Sequence, residues 1–107
     1  MNIGESQAKM VVGSDAVYNG FGLNMRELTW FVKIGMSNEQ ALKTATTIPA
    51  EMLGMETRLG SIAPGYFADI VAVEGDPLSD INAVVKNVRW VMKGGSVVVD
   101  KTKSAPR

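Results

Sequence analysis

The order of signals along this 107-residue sequence predicts an α/β chain in which a strand and helices precede a compact β region. Three observations carry that expectation. An apolar run, Ala8-Lys9-Met10-Val11-Val12-Gly13, ends in Ser14-Asp15-Ala16 and a loop rich in Gly and Asn. Two or three capped, apolar-periodic stretches follow between Asn24 and Leu53. Beyond Gly54 the chain turns to short runs rich in Val and Ile, separated by Pro64-Gly65, Gly75-Asp76-Pro77 and Gly94-Gly95. The helical period thus gives way to strand-and-turn chemistry near Leu53 to Thr57.

Each element has a local cause. The run from Ala8 to Gly13 is too apolar for a half-exposed strand and suits burial on both faces, as in a parallel sheet. Asn24 is a good N-cap, with Glu27 three residues on. Met25, Leu28, Phe31 and Val32 recur at helical spacing, and Gly35 is placed to end the helix. Ser37 and Gln40 form a second capping pair, followed by the small-residue face of Ala41 and Ala45. Pro49 fits the first turn of a third helix, from about Thr47 to Leu53, because N–H groups there have no intrahelical acceptor. Pro64-Gly65 reads as a type II turn and Ala68 to Val73 as a strand. One helical turn is expected around Ile81 to Val84. Val88 to Met92 and Ser96 to Val99 flank Gly94-Gly95 as a hairpin. The polar, basic end from Lys101 to Arg107 is expected to fray. The division is therefore 1–56 for the strand, loop and helices, 57–100 for the β-rich part, and 101–107 for a flexible tail.

Composition narrows the chemistry. Eleven basic and eleven acidic residues cancel, so no electrostatic attraction to nucleic acid or an anionic membrane is expected. The absence of Cys excludes a disulfide, a thiolate metal site and a cysteine nucleophile within this chain. The absence of His removes the commonest general base and the commonest metal ligand. Ser14 consequently has no His to activate it. No apolar run is long enough for a transmembrane helix, and the N-terminal residues lack the apolar core of a signal peptide. A cytoplasmic location is the default expectation.

Three blocks of residues resemble the C-terminal part of the metal-dependent amidohydrolases, in the dipeptidase-like and imidazolonepropionase-like branch. The first is Val12-Gly13-Ser14-Asp15-Ala16. The second runs from Arg26-Glu27-Leu28 through Gly35-Met36-Ser37-Asn38-Glu39-Gln40-Ala41-Leu42 to Ala50-Glu51-Met52-Leu53-Gly54. The third, and the most specific, is Leu59-Gly60-Ser61-Ile62-Ala63-Pro64-Gly65-Tyr66-Phe67-Ala68-Asp69-Ile70-Val71, with Gly75-Asp76-Pro77-Leu78 and Lys93-Gly94-Gly95 after it. The resemblance implies the last βα unit of a TIM barrel, followed by a β-sandwich-like extension and incomplete on its own.

What the resemblance implies for function centres on Asp15. In that family the matching aspartate binds a divalent metal, zinc or another, and moves a proton from the attacking water to the leaving amine. The family's His ligands are missing here, and Phe21-Gly22 stands where related enzymes often carry His-Gly. The resemblance thus implies a segment of a hydrolase of C–N bonds, on peptides or cyclic amides, inactive alone and binding no metal of its own. A non-catalytic subunit is the other expectation: one that homo-oligomerises, or docks on a partner supplying the missing barrel portion. From the residues alone Asp15 also reads as a loop aspartate satisfied by backbone N–H groups.

Other residues have plainer readings. Asp69 is expected to hold the Pro64-Gly65 turn, and Asp76 and Asp80 to serve as turn and cap residues. With Glu74 they do not match an EF-hand spacing. Gly13, Gly20 and Gly22 are in the wrong order for a phosphate loop. Lys9 or Lys33 as a catalytic base would require deep burial. The Met residues and both Trp30 and Trp90 are expected to fill the core.

Overall fold

A computed structural model describes residues 9–13 and 25–102. Among the described residues, four helices and three strands follow one another as α1 (Arg26–Lys33), α2 (Asn38–Lys43), α3 (Thr47–Met52), β1 (Ile70–Val73), α4 (Asn82–Lys86), β2 (Val88–Lys93) and β3 (Ser96–Asp100). The strands form one antiparallel sheet in the order β1-β2-β3. The fold is therefore a small α/β unit with an open three-stranded sheet. A second, facing sheet of the expected β-sandwich is not among the described residues.

Helix ends follow the chemistry that their residues supply. The Ser37 hydroxyl accepts the Gln40 N–H at 3.1 Å, and the Gln40 side chain accepts the Ser37 N–H at 2.8 Å. That reciprocal pair satisfies two N–H groups which the helix itself cannot. Helix α1 ends with Met36 N–H donating to Phe31 O and Gly35 N–H to Val32 O. Helix α3 repeats the arrangement, with Met55 N–H to Ala50 O and Gly54 N–H to Glu51 O. Both are Schellman closures, and both place glycine where φ is positive. Helix α1 begins at Arg26, two residues past the expected Asn24 cap, which lies outside the described residues.

The core sits where the helices meet. Leu28 is 1% exposed and packs with Ala41 of α2 and Ile81 just before α4. Val12, Phe31, Val32, Leu42, Ala45 and Val84 close around them. Thr29 Oγ1 donates to Asn82 Oδ1 at 3.0 Å and ties α1 to α4 beside this cluster. The core therefore draws on residues from both sides of the Leu53 to Thr57 transition.

Several expectations are corrected. Residues 9–13 join no sheet; a strand needs a hydrogen-bonded neighbour along at least one edge, and the only strands among the described residues pair antiparallel with one another. Trp30 is 57% exposed. It lies two positions from Leu28, about 200° around the helix, so it points away from the core. There the Lys33 ammonium stands 4.6 Å from the centre of its ring. Met52 is likewise largely exposed, whereas Trp90, Met36, Met55 and Met92 are half-buried.

Asp69 holds a different turn from the one expected. Its carboxylate accepts the Gly94 N–H at 2.8 Å and the Lys93 ammonium at 2.9 Å, and Gly95 N–H donates to Ala68 O at 3.0 Å. The tip of the β2–β3 hairpin is thereby clamped to the residues before β1. Strand β1 starts at Ile70 and not at Ala68, because the Ala68 carbonyl accepts from Gly95 and the Asp69 N–H donates to Phe67 O at 3.0 Å, so neither joins the ladder to β2. Gly94 and Gly95 have φ of 56° and 82°, as a two-residue type I′ turn requires. Pro64-Gly65 forms its turn without Asp69, with Tyr66 N–H donating to Ala63 O and Gly65 at φ 90°.

Two stability measurements follow from this geometry. Gly60 has φ 90°, and a Cβ there would stand 2.7 Å from Thr46 O, whereas a Cβ at Gly54 meets open space. Gly54→Ala is expected to cost about 1–2 kcal/mol for the left-handed backbone alone. Gly60→Ala is expected to cost more, because the loop must also move off α3; equal urea midpoints for the two variants would contradict this. The second concerns Asp69, whose carboxyl is held below the usual carboxylate range by the Lys93 ammonium and then by the Gly94 N–H. A lowered folded-state pKa gives stability that is fully present above the unfolded value of 3.8 and is lost as pH falls through the folded value. The gap in urea midpoint between the native chain and Asp69→Asn is expected to narrow below pH 3.8. A gap independent of pH would show that the carboxylate charge plays no part in the clamp.

Candidate functional site

Asp15, the residue that sequence reasoning singles out for proton transfer and metal binding, lies outside the described residues, as do Ser14, Gly20 and Gly22. The approach to it is placed. Val12 N–H donates to Thr44 O at 2.9 Å, and Val12 packs on the Leu28 cluster. Thr44 is itself wholly buried, with its Oγ1 donating to Ala41 O at 2.6 Å. A short polar side chain inside a core needs such a partner, and the last turn of α2 supplies the Ala41 carbonyl, which accepts the Thr44 N–H as well at 3.1 Å. Residues 9–13 are thus tied to the junction of α2 and α3, and Asp15 follows the tethered Val12 by three positions in the sequence.

Lys9 pairs with Glu51 at 2.8 Å, and both side chains are exposed. The Glu51 carboxylate hydrogen-bonds to the Lys9 ammonium and raises its pKa. A catalytic lysine base requires the opposite shift, so Lys9 is an ion-pair residue. Lys33 stays exposed above Trp30.

The carboxylates near Pro77 have structural work. Asp76 accepts the Leu78 N–H at 2.9 Å and the Ser79 hydroxyl at 3.2 Å. Asp80 accepts the Asn82 N–H at 2.9 Å at the start of α4. Glu74 faces Arg89 at 3.6 Å. Asp76 holds the turn that its spacing predicts, whereas the N-cap position of α4 falls on Ile81, one residue past Asp80. Among the described residues, no three His, Cys, Asp or Glu side chains come together as a metal site. The donors present there therefore do not fit a metal centre.

The feature that sequence reasoning missed is an open groove of about 540 Å³. Leu42, Pro49 and Leu53 line its helical side, Ile70 and Val71 of β1 its sheet side, and Phe67 lies between. No local motif announces it, because its walls come from segments about 20 to 30 residues apart that only the fold brings together. No helix among the described residues is long and apolar enough to cross a membrane.

Comparison with known proteins gives this geometry a family. The model of the Amidohydrolase family matches residues 2–98. The crystal structure of an amidohydrolase superposes with a TM-score of 0.83 and 30% identity, over 91% of this chain and 24% of that one. A prolidase crystallised with N-methylphosphonate-L-proline superposes with a TM-score of 0.80 and 34% identity, over 87% of this chain and 23% of that one. Imidazolonepropionase of Thermoplasma volcanium is 34% identical over 70 residues, 64% of this chain and 17% of its own length. The chain spans about a quarter of the solved structures that it matches. With nearly its whole length matched by one family, and with its fold shared by solved members, this chain belongs to the amidohydrolase family.

Proposed function

We propose that this chain is the C-terminal segment of a metal-dependent hydrolase of C–N bonds, comprising the last βα unit of its barrel and the extension after it. The observation that carries the reading is the match of residues 2–98 to the family, at about a quarter of the length of its solved members. Peptides and cyclic amides are the substrate classes supported by the prolidase and imidazolonepropionase matches. In this reading Asp15 contributes one metal ligand and moves the proton between water and leaving amine, and residues 57–100 form the extension. The His ligands come from the part of the enzyme that this sequence does not contain.

The isolated chain is inactive in this reading, because a catalytic zinc site takes three protein ligands and the chain has no His or Cys to supply them. A non-catalytic subunit docking on a partner is the second reading, favoured by the exposed apolar groove.

Two outcomes test the proposal. The isolated chain is expected to hydrolyse neither dipeptides nor cyclic amides above the uncatalysed rate, with or without added zinc, and turnover by the chain alone would overturn it. In an enzyme completed with the remaining barrel, Asp15→Asn is expected to lower kcat by about 10²–10⁴, the range for a positioned proton-transfer group. An unchanged kcat would remove Asp15 from the chemistry.

A further inference from the structure

We draw no further inference here: the strongest candidate, the apolar groove between α2–α3 and β1, carries nothing, since nothing in the structure shows what covers it.

Discussion

Burial of Leu28 against Ala41 and Ile81 is the contact on which the rest of this unit depends. It joins α1 to α2, and it joins both to the turn that opens α4 and leads into β2. A fully buried leucine contributes about 1.5–3 kcal/mol. The other fully buried apolar residues among those described are Ile81 and the three alanines Ala41, Ala50 and Ala83. Alanines let backbones approach closely, but each brings one methyl to the core. The cohesion of the unit is therefore spread over backbone devices: two Schellman closures, a capping box, and a hairpin clamped by Asp69.

The same scarcity explains the surface. Leu53, Ile62, Phe67 and Val71 are large enough to make a second core, yet they line a groove open to solvent. The groove is framed by rigid pieces. Gly60 brings the loop after α3 to within contact of Thr46, and Tyr66 donates its hydroxyl to Glu56 O at 2.9 Å. Arg58 also stacks near Phe67, 5.7 Å from the ring centre, so the aromatic is held in place while part of it faces water. An apolar face fixed in this way has little freedom to collapse on itself.

Features set by near neighbours are legible in the sequence, and features set by distant ones are not. Ser37 with Gln40, Pro64 with Gly65, and Gly94 with Gly95 each act over a few residues, and each forms the cap or turn that its spacing predicts. Asp69 does not: its partners lie 24 and 25 residues away, and nothing in Ala-Asp-Ile-Val names them. Hydrophobicity alone sends Trp30 to the core, but its angle from Leu28 on α1 decides its place, and that angle puts it in solvent. The groove is illegible for the reason that Asp69's partners are. The family, by contrast, is legible, because its three blocks are sequence motifs.

The candidate chemistry divides along the same line. Asp15 is identified by its motif, whereas what the fold adds is the tether of Val12 to Thr44, which fixes the chain shortly before that aspartate is reached. On the segment reading, one carboxylate is a contribution to a site and not a site, since the His and Cys ligands on which a zinc centre draws are residue types this chain does not contain. On that reading, the apolar groove and the solitary aspartate therefore have a common cause: each is left incomplete without the remaining length of an amidohydrolase.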